Sequence, residues 1–233
     1  MKTMFMFDLL TAKKMLKSQV VLSVVVAVIF GVSTDMPLAI IPFMALMLAY
    51  ATGFTLVAYD ERNDWEKLRL TLPLSRADII RGRYATFAAM TMAGIVLGGV
   101  LVAVLWVLAQ LAPTAPVLSE FAGALDWQMA VAMVVSGVVF ALVLWIIALP
   151  LVARYGMTKA VRFLPLAFVI VLPIATVLVQ KAGPLPASVM DFVAWVATPT
   201  GTLVAAGAAL AFIVVLFALS SMLSVRLYEK REF

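Results

Sequence analysis

Long stretches with no charged residue alternate along this chain with short charged segments. The charge-free stretches lie at 18–34, 36–59, 84–119, 127–153, 163–180 and 192–225. A helix needs about 20 apolar residues to cross the ~30 Å hydrocarbon core of a bilayer. Trimming at Pro, Gly and polar clusters gives six predicted spans, near 18–34, 38–59, 84–111, 128–152, 163–180 and 201–225. Backbone groups in lipid must be satisfied internally, which leaves helices or closed barrels, and solid apolar runs predict helices where alternation would predict strands. The expected fold class is an all-α polytopic membrane protein, a single transmembrane domain over 1–233.

Composition sharpens this. Of 233 residues, 65% are hydrophobic and 12% charged, about half the ~25% usual in soluble domains. There is no His and no Cys, so metal centres and nucleophilic chemistry built on those residues are excluded. The net charge of +5 is unevenly placed. Four Lys precede the first span (Lys2, Lys13, Lys14, Lys17), six Lys or Arg lie in 60–83, three in 154–162 and three after the last span. Six spans put these segments on one face, which holds 16 of the 17 basic residues, with Lys181 opposite. The positive-inside rule makes that face cytoplasmic, with both termini inside. The net charges are then +8 inside and −3 outside. The basic balance reports topology in a cell (plasma or inner) membrane, and no nucleic-acid partner is expected.

The N-terminal segment has two readings. Lys13, Lys14 and Lys17 followed by Val20 to Ser33 resemble a signal peptide. Against this, Met4, Phe5, Leu9, Leu16 and Val20 lie near one helical face with Lys13 and Lys17 away from it, which predicts an interfacial helix over 1–17. No Asp, Glu, Lys or Arg falls within the trimmed spans, whereas carriers and pumps usually hold ionisable groups there. The polar residues inside are Thr52, Thr55, Thr86, Thr91, Gln110, Ser136, Thr176, Ser220 and Ser221, read as bonding within or between helices. Gly94, Gly98 and Gly99, and the Gly201/Ala205/Ala209 row, are spaced for close helix approach. Phe and Met, 14 of each, either face lipid and fill gaps or form a soft wall for apolar substrates. Paired intramembrane Asp and a G-x-x-x-x-G-K-[ST] loop are both missing, so no ATP site, cofactor site or catalytic residue is expected in this chain.

The most charged hydrophilic segment is 60–83. Asn63 three residues before Glu66 is a variant capping box that opens a short helix. Trp65, Leu68 and Leu72 make its apolar stripe, flanked by Asp64, Lys67 and Arg69. Pro73 stops it, and the Ser75/Asp78 spacing caps a second helix running into the third span. Two readings stand: a solvated loop with Trp65 as an interfacial anchor, or a docking helix for a cytoplasmic partner.

The residues Asp60-Glu61, Trp65-Glu66, Leu72-Pro73-Leu74-Ser75-Arg76 and Arg83-Tyr84 resemble the pattern D-E-x-x-x-W-E-x-x-x-x-x-L-P-[VL]-S-R followed by a basic-Tyr pair. That pattern is typical of small six-helix permease subunits of type 2 ABC (ATP-binding cassette) exporters, such as those resembling phenol-soluble modulin exporter permeases. The resemblance implies that 60–83 carries a coupling helix seated in a cleft of an ATPase subunit, through Glu61, Asn63, Trp65, Glu66 and Leu68, with Arg69 at the rim and the N-terminal helix beside it. It also implies two ATPase subunits binding ATP and Mg, a second permease copy or paralogue, and short helices outside. Ser188 to Trp195 is a candidate for such a helix, or an ordinary loop with Trp195 as anchor. The expected function is export of a hydrophobic or amphipathic substrate (peptide, lipid or drug). The rivals are a stand-alone carrier or channel and a non-transporting membrane scaffold.

Overall fold

The computed structural model describes residues 2–34, 36–62, 65, 74–112, 121, 123, 126–156 and 186–230. Its elements are α1 (Lys2–Ser33), a 3₁₀ turn (Pro37–Ala39), α2 (Ile40–Arg62), α3 (Arg76–Leu111), α4 (Trp127–Tyr155), α5 (Ala187–Val196) and α6 (Pro199–Glu229). Five helices among the described residues, α1 to α4 and α6, are long and apolar enough to cross a membrane. The expected span at 163–180 lies outside the described residues. Its described flanks, Gly156 and Pro186, follow α4 and precede α5 at opposite ends of the bundle.

Local chemistry sets the helix starts. Ser75 Oγ accepts from Asp78 N at 3.0 Å and donates to the Asp78 carboxylate at 2.7 Å, as the spacing predicts. Asp126 caps α4 by accepting from Gln128 N at 3.1 Å. Thr198 caps α6 by accepting from Gly201 N at 3.1 Å, with Pro199 in the first turn, where its missing N–H costs nothing. At 1.5 Å per residue, the 36 residues of α3 extend for about 54 Å, well beyond the ~30 Å hydrocarbon core.

α2 is the central span: 56% of its apolar window is buried, against 22% or less for the other four. It packs on α1, α3 and α4, and α4 in turn lies along α6. Small residues let the backbones meet. A Cβ on Gly94 would lie 2.6 Å from Ala45 Cα, one on Gly98 2.9 Å from Ile41 Cα, and one on Gly137 2.9 Å from Pro42 Cα. Gly99 faces open space, so the predicted close-approach row is Gly94 and Gly98 without it. Ile40, Ile41, Met44 and Ala45 fill the seam with Ile95, Val102, Val138 and Leu142.

The interfacial helix expected over 1–17 is not a separate element. α1 is one continuous helix from Lys2 to Ser33, because nothing between Lys17 and Val20 breaks it. Its buried line steps by four residues through Met4, Asp8 and Ala12, and again, eleven residues or three turns on, through Ser23, Ala27 and Gly31, so the first half packs on the bundle along the same face as the second. Met4 meets Ile79, Ala153 and Tyr228 in one cluster. The starts of α1 and α3 and the ends of α2, α4 and α6 thus gather at one end, called here the basic end.

Candidate functional site

The basic end holds a buried charge cluster at the foot of the α2–α3 loop. Asp60 is in the last turn of α2, and Arg83 lies two turns into α3. Arg83 Nη2 donates to Asp60 Oδ2 at 2.5 Å and to Asp8 Oδ1 of α1 at 3.3 Å. Asp8 also accepts from Thr86 Oγ1 at 3.3 Å, and that hydroxyl reaches Gly82 O at 3.1 Å. Asp8 is fully buried, and Asp60 and Arg83 nearly so. One guanidinium therefore ties three helices together. Arg suits the task because its guanidinium stays charged and is weakly hydrated, so that Nη2 can be buried between two carboxylates. Its Nε has no hydrogen-bond partner among the described residues, and a buried donor left so costs about 1–3 kcal/mol.

Beside this cluster, Tyr84 Oη is hydrogen-bonded at 2.8 Å to both Ser220 and Ser224 of α6. Ser220 also reaches Ile146 O of α4 at 2.8 Å. Arg76 Nη1 donates to the carbonyls of Tyr228 and Glu229 at 3.2 and 2.7 Å, closing the end of α6, where orphan carbonyls welcome a cation. Further along α1, Gln19 donates to Ala51 O and Thr55 Oγ1 at 3.1 and 3.0 Å and accepts from Thr52 Oγ1 at 2.9 Å. Thr52 and Thr55 bond helices as expected; Gln19 escaped the sequence reading.

Above the cluster, Trp65 is half-buried and helical. Its ring packs on Phe7 of α1 at 5.1 Å between centroids, tilted by 56°. At the opposite end of the bundle, Gln128 Nε2 donates to Ala197 O and Thr202 Oγ1 at 2.9 and 3.0 Å, joining α4 to the α5–α6 corner. The segment Ser188 to Trp195 is indeed helical, within α5, and all of it is exposed.

A family model described as ABC-2 family transporter protein matches residues 3–229. The chain belongs to the ABC-2 transporter family. Among curated proteins none matches it. As an ABC-2 type permease it is a multi-pass membrane component of an ABC transporter, and membership implies association with ABC ATPase subunits and oligomerisation. Of the docking residues expected in this permease, Glu61 lies in the last turn of α2 and Trp65 stands against Phe7. Asn63, Glu66, Leu68 and Arg69 lie outside the described residues. The structure thus brings Trp65 to the N-terminal helix, and it adds Asp8, Asp60, Arg83 and Tyr84. Two signals pointed to these four: Asp8 is the one acid among residues 1–34, and Asp60 and Arg83-Tyr84 bound the motif at its two ends.

Proposed function

We propose that this ABC-2 permease is the membrane subunit of an exporter that moves a hydrophobic or amphipathic substrate (peptide, lipid or drug) out of the cell. The basic end faces the cytoplasm, where 16 of the 17 basic residues belong by the positive-inside rule. Two separate ATPase subunits bind ATP and Mg and dock on the 60–83 loop of a homodimer or of a pair of paralogues. Glu61, Asn63, Trp65, Glu66, Leu68 and Arg69 form the docking helix. Transport powered by a partner, and not ion-coupled carriage, is favoured by spans without ionisable side chains, and the outward direction rests on the resemblance to exporter permeases.

The observation that carries this reading is the base of the loop. Asp60 and Arg83, the residues where the loop leaves and re-enters the bundle, pair with each other and with Asp8. A push on Trp65 is therefore delivered to α1 through Phe7, and from Asp8, the next residue of α1, through Arg83 to α2 and α3. Displacement of a docked loop becomes rearrangement of packed helices. The test is co-purification of a tagged permease with the ABC ATPase it captures from native membranes. Trp65→Ala and Glu66→Ala should each cut recovery of the ATPase, while the permease elutes as the wild type does. Full recovery and unchanged transport in both variants refute the docking assignment.

A further inference from the structure

We propose that the groove between α1 and Trp65 is a binding site for an anionic glycerophospholipid of the adjoining leaflet, with Lys14 holding the phosphate. The groove has a volume of about 450 Å³, within the ~300–1,000 Å³ range of small-ligand sites. Its walls are Phe7, Leu10, Met15, Tyr59 and Trp65, and its polar lining is Thr11 and Lys14. Leu10 is 63% exposed and Tyr59 42% exposed, so the groove opens to the surroundings.

Depth selects the occupant. Lys17 is the last charge on α1 before the apolar run that ends at Thr34, and Tyr59 is the last residue before Asp60. Asp60 is level with Asp8, to which Arg83 joins it, and Lys17 lies nine residues, about 14 Å, further along α1 toward the hydrocarbon. The groove residues Leu10 to Met15 fall between these two marks, in the headgroup layer. Phe7, Tyr59 and Trp65 add the aromatic content typical of that layer.

Charge selects the headgroup. Lys13, Lys14 and Lys17 are exposed, and none has an acidic partner among the described residues. Lys14 follows Leu10 by four residues, Thr11 by three and Phe7 by seven, so these four share one stripe of α1. Helical side chains lean toward the N-terminus. The ammonium of Lys14 is thereby carried back over Leu10 and Thr11, and that of Lys17 toward Lys14. Lys14 thus stands at the mouth of an apolar groove at headgroup depth, with Lys17 one turn further along. This arrangement complements one lipid phosphate near Leu10 and Thr11, with its glycerol against Met15 and its acyl chains running on toward the exposed Val21 and Leu22.

The test uses the full chain in phosphatidylcholine nanodiscs with and without phosphatidylglycerol, reading the lipid retained on the protein by native mass spectrometry. The wild type should retain phosphatidylglycerol in preference to phosphatidylcholine. Lys14→Gln should lower that preference about fivefold, the effect of one lysine near an anionic headgroup, and Lys14→Arg should keep it. Thr11→Phe fills the groove and leaves every lysine in place, so it should abolish the preference. Lys230→Gln removes a charge at the same end but outside the groove and should leave the preference unchanged. Equal losses in Lys14→Gln and Lys230→Gln, or full retention in Thr11→Phe, would mean general attraction to a basic surface and would overturn the site. Displacement of the lipid by soluble glycerol phosphate at matched concentration would overturn the lipid assignment in favour of a small-anion site. Variants are compared only where helicity and elution volume match the wild type, and Lys14→Arg against Lys14→Gln supplies the decision if Thr11→Phe does not fold.

Discussion

Replacing Arg83 by methionine removes one cation from between two buried carboxylates and keeps most of the side-chain volume. Asp8 Oδ1 and Asp60 Oδ2 both touch Nη2, at 3.3 and 2.5 Å. The sum of those distances puts the two oxygens at most 5.8 Å apart. At an effective dielectric constant of about 20, two unit charges at that separation repel by about 3 kcal/mol. Loss of the shared donor adds to this, and removing one partner from a buried ion cluster typically costs about 3–5 kcal/mol in total. Arg83→Met should therefore lower the free energy of unfolding by about 3–5 kcal/mol, read by SDS titration of the purified chain in mixed micelles.

Repulsion makes a second demand that a simple packing defect would not. Adding Asp8→Asn and Asp60→Asn to Arg83→Met removes the opposed charges, and well-filled neutral replacements of buried ion clusters are often close to neutral. The triple variant should regain about 2 kcal/mol or more over the single one. A cost of Arg83→Met below about 1 kcal/mol, or a triple variant no more stable than the single, would refute the account of Arg83 as the tie between α1, α2 and α3.

Two further predictions follow from packing and hydrogen bonding. Gly94→Val should destabilise by about 1–3 kcal/mol through overpacking, because its Cβ meets Ala45 Cα at 2.6 Å and Met44 O at 2.7 Å; Gly99→Val, facing open space, should stay within about 0.5 kcal/mol of wild type in the same titration. Tyr84→Phe leaves Ser224 without its phenol partner while Ser220 keeps Ile146 O; it should cost about 1–2 kcal/mol, and adding Ser224→Ala should recover part of that.

Much of the bundle was legible because lipid imposes a coarse rule: apolar runs of sufficient length become helices. The cap at Ser75, the helix at 187–196 and the close approach at Gly94 and Gly98 rest on local chemistry that the chain itself states. The most buried line of α1 did not yield to the same reasoning. The apolar stripe Met4, Phe5, Leu9, Leu16 and Val20 does turn toward the bundle, with Leu9 and Leu16 packed on the Ala49, Met90 and Ala141 cluster, yet the deepest positions on that face after Met4 are Asp8, Ala12, Ser23, Ala27 and Gly31. In water the buried face of a helix is its apolar one. In lipid the solvent is as apolar as leucine, so large apolar side chains gain little by turning inward, and helix contacts go to small and hydrogen-bonding residues. Val21, Leu22, Val25 and Ile29 are exposed accordingly.

That inversion also explains why the charge cluster was missed. Asp8, Asp60 and Arg83 lie outside every trimmed span and so pass for solvated charges when each is read alone. Their meaning depends on depth. Asp60 ends one helix and Arg83 opens the next at the same boundary of an antiparallel pair, so the loop between them starts and finishes at neighbouring points. Asp8 stands ten residues before Ser18, about 15 Å from the start of its own apolar run along an unbroken helix, so only its contact with Arg83 sets it at the level of the other two. Three charges at one depth on three adjacent helices must either turn to water or pair, and pairing removes them from a boundary where desolvation is costly. In the proposed coupling, the identity of the middle residue then matters for motion as well as stability. A lysine at 83 carries a more strongly hydrated charge on a shorter side chain, which reaches less far than Nη2 between the two carboxylates, so Arg83→Lys should keep more stability than Arg83→Met while loosening α1 from the α2–α3 pair.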